Sequence, residues 1–191
     1  MKIIRGLFLA SFLLVAISPA SGQNLHIAGA VKAQPIIYRS DDGVHSGCGL
    51  RVVFFTNVPR PSSIADISIN LYNPKGGKPI GMAKALLSDY SDGVNKTISI
   101  DTFMMARATG QAVKLFDLKQ SEDKDALLSR TSADDALDLI MDFLTSKPTE
   151  IGFKLKGEKT MRIIRVTVPS LEHAELQSFN TCFKQIKANN Q

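Results

Sequence analysis

The sequence predicts an α+β fold, a mostly antiparallel sheet of about six or seven strands packed by two helices, with a two-sheet sandwich as the near alternative. Three observations predict it. Apolar and polar residues alternate through several short segments, the period of half-buried strands. Two later segments repeat apolar residues at helical spacing. Clusters of Gly, Pro, Asn and Asp punctuate the chain between them.

The elements follow in order. Residues 23–33 are a weakly patterned lead-in, and Pro35 to Arg39 forms a short strand. Ser40-Asp41-Asp42-Gly43 is a turn, because Asp tolerates turn backbone and Gly supplies positive φ. Leu50 to Val58 is rich in β-branched and aromatic residues, which marks a central strand ended by Pro59 and Pro61. Ile67, Ile69 and Leu71 alternate with Ser68 and Asn70 as a further strand. The loop Asn73-Pro74-Lys75-Gly76-Gly77 then turns the chain back. This makes Pro79 to Asp89 an antiparallel strand, despite the helix-forming composition of Met82 to Leu87. After the turn at 88–93, Thr97 to Phe103 alternates with Ile98, Ile100 and Thr102 on one face. Ala112 to Leu118 is a weak strand. The polar stretch from Ser121 opens a short helix over Ala126, Leu127 and Leu128, and 121–130 is the only candidate linker.

A stronger helix begins at Ser132, whose hydroxyl can cap, with Asp134, Asp135 and Asp138 near its positive end. Its apolar stripe is read as Leu137, Ile140, Met141 and Leu144, and Pro148 stops it. A hairpin follows around Gly157-Glu158-Lys159, one strand carrying Ile151, Phe153 and Leu155 and the next Ile164, Val166 and Val168. The last helix spans about 170–187, with the stripe Leu176, Phe179, Phe183 and Ile186.

The chain has 191 residues. Residues 1–22 have the zones of a secretory signal: basic Lys2 and Arg5, the apolar run Leu7 to Ile17, then small residues from Ser18 to Gly22. That run is shorter than the roughly 20 residues a membrane span needs. The working unit is therefore read as one exported domain, 23–191, periplasmic or secreted. Lys and Arg number 23 and Asp and Glu 18, a net +5. Without Lys2 and Arg5 the balance is 21 against 18, or +3. This mild basicity does not point to nucleic acid, and no membrane anchor is expected in the mature form.

Export permits a disulfide, and Cys48 and Cys182 are the only cysteines. Cys182 lies beside the apolar stripe of the last helix, so it can point toward a strand. A bridge between them would close a long loop, for which the chain-entropy model gives roughly 4–5 kcal/mol.

No sequence motif of high specificity for catalysis, metal or phosphate occurs, so no catalytic residue, metal ligand or cofactor is assigned. His26, His45 and His173 lie in three different regions, and the acid pairs Asp41/Asp42 and Asp89/Asp92 sit in turns beside glycine. One surface feature stands out. In the last hairpin Lys154, Lys156 and Arg165 face outward and Lys159 is in the loop, a cluster of cations that could meet an anionic partner. Outward lysines also discourage edge aggregation. Arg162 would share the inward face, so either it lies at the open end of its strand or the assignment of inward residues on that strand is wrong.

The functional expectation is a non-enzymatic binding or accessory protein of the cell envelope, with an envelope protein or an anionic glycan as partner. Its rival is a hydrolase or thiol-dependent enzyme whose residues meet only in the fold.

Overall fold

A computed structural model describes residues 25–41, 43–74, 77–90, 94–122 and 126–188. The signal read at 1–22 lies outside the described residues, as do Asp42, 75–76 and 91–93 in the expected turns, and 123–125.

The elements are β1 (Leu25–Ile27), β2 (Val31–Arg39), β3 (His45–Thr56), β4 (Ser63–Tyr72), β5 (Ile80–Asp89), β6 (Lys96–Thr97), β7 (Ile100–Ala106), β8 (Phe116–Gln120), β9 (Leu127–Thr131), α1 (Ala133–Leu144), β10 (Thr149–Leu155), β11 (Arg162–Val166) and α2 (His173–Ala188). The fold is α+β and sandwich-like. A seven-stranded antiparallel sheet has the order β2-β3-β4-β5-β9-β8, with β6 also on β5. A four-stranded sheet has the order β1-β11-β10-β7 and is mixed, because β1 runs parallel to β11.

One face of the large sheet is core. Cys48, Leu50, Val52 and Phe54 of β3 share it with Ala65, Ile67, Ile69 and Leu71 of β4 and Ala83, Ala85 and Leu87 of β5, all buried. Helix α1 packs on β4 and β5, and α2 on β2 and β3. Gly81 makes the first contact possible: a Cβ there would stand 2.5 Å from the Ser132 carbonyl and 2.7 Å from the Ala136 Cβ. A disulfide joins Cys48 to Cys182 across 134 positions, clipping α2 to β3, next to the edge strand β2. The Ser132 hydroxyl caps α1 as expected, accepting from the Asp135 N–H at 3.0 Å.

Residues 80–89 form a strand. Pairing with β4 from Ser63↔Asp89 to Tyr72↔Ile80 overrides the local helix preference.

Other expectations are corrected. Residues 127–131 are strand β9, not helix, inserted between β5 and β8, so 121–130 is no linker. Tertiary pairing with Gly81 to Ala85 decides this against the propensity of Ala and Leu. The 97–103 segment is divided between the sheets: β6 pairs with β5, and β7 with β10. A register shift opposite Lys154/Leu155 changes the alternation of β7. Phe103 and Met105 therefore join Ile100 inside, while Thr102 stands opposite Lys154. Strand β8 starts later than expected, at Phe116. The buried stripe of α1 is Ala136, Leu139, Ile140 and Phe143, and Met141 is exposed. In α2 it is Phe179, Cys182 and Ile186, with Leu176 outside. Phe179 and Ile186 of α2 and Ile140 of α1 are buried as expected, with Phe183 and Leu144 packed against the core, whereas Leu176 and Met141 turn outward because neighbouring apolar positions offer nearly equal helical spacing.

Candidate interaction surface

Side chains alternate across a strand, so the face of the large sheet opposite the core carries the intervening residues. Register sets them in rows. Tyr38, Gly47 and Tyr72 form one row. Ile36, Gly49, Asn70, Met82 and Arg130 form the next, and Gln34, Arg51, Ser68, Lys84 and Leu128 the third. Beyond them run Lys32, Val53, Asp66 and Leu86, then Phe55 and Ile64. Both helices pack on the other face. Here Ile36, Val53, Ile64, Leu86 and Leu128 are only half-buried, and Phe55 is 49 % exposed.

Two glycines shape this surface. A Cβ on Gly47 would come within 3.0 Å of both the Tyr38 and Tyr72 rings. A Cβ on Gly49 would stand 2.7 Å from the Asn70 side-chain carbon and 2.6 Å from the Ile69 carbonyl. With hydrogens there instead, the two tyrosines settle over β3 in an edge-to-face pair, centroids 6.5 Å apart at 85°. Asn70 lies down over Gly49. The result is a cleft of about 180 Å³ lined by Tyr38, Ser68, Asn70, Tyr72, Met82 and Leu128, with Lys84 at its side.

The cleft floor is polar and lightly engaged. Tyr38 Oη donates to Asn70 Oδ1 at 3.4 Å, and Asn70 Nδ2 donates to Ser68 Oγ at 3.3 Å. Both distances are long for their type, so these groups keep capacity for an incoming hydrogen bond. Burial raises the Tyr38 phenol above its ordinary value, so it remains a protonated donor at neutral pH. Nearby, Arg51 grips Asp66 bidentately, Nε to Oδ1 at 2.9 Å and Nη2 to Oδ2 at 2.6 Å. The carboxylate raises the arginine's affinity for its proton further.

The residues singled out from sequence fall elsewhere. Cys48 and Cys182 are bonded and fully buried, so Cys48 offers no thiolate to a thiol-dependent mechanism. The last hairpin forms as expected, and its register sets Ile151 opposite Ile164 and Phe153 opposite Arg162. Lys154 bonds Asp101 at 2.8 Å, and Arg165 bonds Glu150 at 2.8 Å. Arg162 lies at the open end of β11 and holds Glu158 through two bonds, 2.9 and 2.6 Å. Lys156 and Lys159 are exposed beside it. The cation cluster is thus interleaved with acids contributed by three different segments.

His26 is on β1, His45 opens β3 and His173 opens α2. Asp89 bonds Arg60 at 3.3 Å. Buried Asp142 accepts from the Ala108 N–H at 3.1 Å and lies 3.4 Å from Lys147 Nζ. No group of three or more His, Cys, Asp or Glu that could hold a metal occurs among the described residues. No helix among them is long and apolar enough to cross a membrane.

Sequence reasoning missed Tyr38, Asn70 and Tyr72. The signal that could have found them is Gly47-Cys48-Gly49 itself. Glycines on both sides of an inward cysteine leave the outer face of a strand bare, and something must approach it closely.

No family model, curated protein or solved structure matches this chain.

Proposed function

We propose that this chain is an exported, non-enzymatic binding protein that docks an envelope protein on the open face of its large sheet. The Tyr38–Tyr72 cleft receives one apolar or aromatic side chain of that partner. The observation that carries this reading is the cleft's size and setting. Small-molecule pockets run from about 300 Å³ upward. A space of about 180 Å³ suits a group the size of a benzene ring, for which about 150 Å³ suffices. A cleft of that size within a broad, half-exposed apolar surface is the socket for one anchor residue, with weaker contacts around it. The Arg51–Asp66 pair supplies a polar rim. The disulfide and the filled inner face hold the surface rigid, which lowers the ordering cost of docking.

Photo-crosslinking tests the proposal. A benzophenone amino acid at Met82, expressed in the native envelope, should give one discrete protein adduct. Gly47→Val should reduce that adduct about tenfold, since its side chain meets both tyrosine rings, and a tenfold loss corresponds to about 1.4 kcal/mol. The same reporter at Lys156 should give none. Adducts at Lys156 and none at Met82 would overturn the reading in favour of the hairpin cations.

A further inference from the structure

A second recess lies on the helix side of the large sheet, where the β2–β3 hairpin end meets the flank of α2. A bulge creates it. Tyr38 pairs with Gly47 but Arg39 pairs with His45, so Ser46 is an extra residue. An extra residue resets the alternation of a strand and re-aims the side chains beyond it. Without the bulge, Ser46 would take the helix-side position next after Cys48. With it, His45 takes that position, directly opposite Arg39.

The recess measures about 360 Å³ and is lined by Ile37, Arg39, His45, Gln177, Ser178 and Thr181. That is within the range of small-ligand sites, unlike the tyrosine cleft. Its polar groups are a guanidinium, an imidazole, an amide and two hydroxyls, with no carboxylate among the lining residues. The Thr181 hydroxyl is already committed, donating to the Gln177 carbonyl at 2.9 Å. Arg39 is exposed and has no acidic partner among the described residues. His45 is the telling group. It is 7 % exposed, and its Nδ1 is sealed from solvent with no hydrogen-bond partner among the described residues. Buried polar atoms are nearly always paired, and an exception calls for a reason.

We propose that this recess binds an oxyanion, the phosphate or carboxylate group of a small ligand. Arg39 grips it with its planar fork, and His45 and Ser178 complete its hydrogen bonds. A guanidinium matches the geometry of either group bidentately. The unpaired Nδ1 leaves His45 with hydrogen-bonding capacity that a ligand seated against the ring would use. The site is independent of the docking face, because it lies on the other side of the sheet.

Imidazole nitrogen spectra of the full chain, at fixed pH and ionic strength, test this with inorganic phosphate and, separately, acetate. The expected result is a saturable shift of the His45 signals with His26, on β1, unmoved. The anion that saturates at the lower concentration identifies the source group. Arg39→Gln should raise the half-saturating concentration at least tenfold. Backbone amide spectra should show that variant folded, since Arg39 is exposed. A His45 response that does not saturate, that chloride reproduces, or that Arg39→Gln leaves unchanged would overturn the proposal.

Discussion

The two faces of the large sheet use the same strands and the same device to opposite ends. On the inner face Gly81 removes a side chain, and the chain itself fills the gap with Ala136 of α1. On the outer face Gly47 and Gly49 remove side chains, and only Tyr38, Tyr72 and Asn70 lean into the space, leaving a cleft. The inner gap serves close packing. The outer one leaves apolar surface unburied, which contributes nothing to folding and is characteristic of an interaction site.

Adjacent residues of β3 give the largest contrast. Phe54 is 1 % exposed and Phe55 is 49 % exposed. Phe54→Ala should cost about 3–5 kcal/mol of unfolding free energy, whereas Phe55→Ala should stay within about 0.5 kcal/mol. Urea denaturation of both variants checks this, and equal losses would mean that the outer face is buried too. Replacing Cys48 and Cys182 together by Ala should cost about 2–5 kcal/mol. The loss belongs to the inner face, so the Tyr38–Tyr72 contact should persist at temperatures where the variant is folded, as ring proton spectra would report.

The smallest effect lies away from both faces. Arg162 holds the Glu158 carboxyl below its ordinary value by two hydrogen bonds. A carboxylate lowered by folding stabilises the native state above its unfolded value, near pH 4.3. It loses that contribution as pH falls through the lowered folded value. Both side chains are about one-third exposed, so the contribution is small. Glu158→Gln should therefore lower stability slightly at neutral pH and leave it unchanged in strong acid, so the fall in stability on acidification becomes shallower. Thermal melts from neutral to acid pH test this.

Much of the inner face was legible in the sequence, because aliphatic alternation states directly which side is buried. Ile67, Ile69 and Leu71 are the clearest case, and Ile151, Phe153, Ile164 and Val166 of the last hairpin are another. The bridge was legible from the expected export and from the count of two cysteines. What failed depended on partners distant in sequence. The strand at 127–131 exists because β5 offers it an edge, and the altered phase of β7 follows from a bulge against β10. The outer cleft was illegible for a related reason. Tyr38 and Tyr72 are 34 positions apart, and only strand order brings them across one glycine.

Hydroxyl-radical footprinting of the protein in its native cellular setting, compared with the purified chain, tests the central claim most directly. Tyr38, Tyr72 and Met82 report on the cleft, while Tyr90 and Met141, both about half exposed, serve as references elsewhere. Docking on the open face predicts severalfold protection of Tyr38, Tyr72 and Met82 with Tyr90 and Met141 unchanged. Unaltered reactivity at the three cleft residues, with protection at the references, would contradict it.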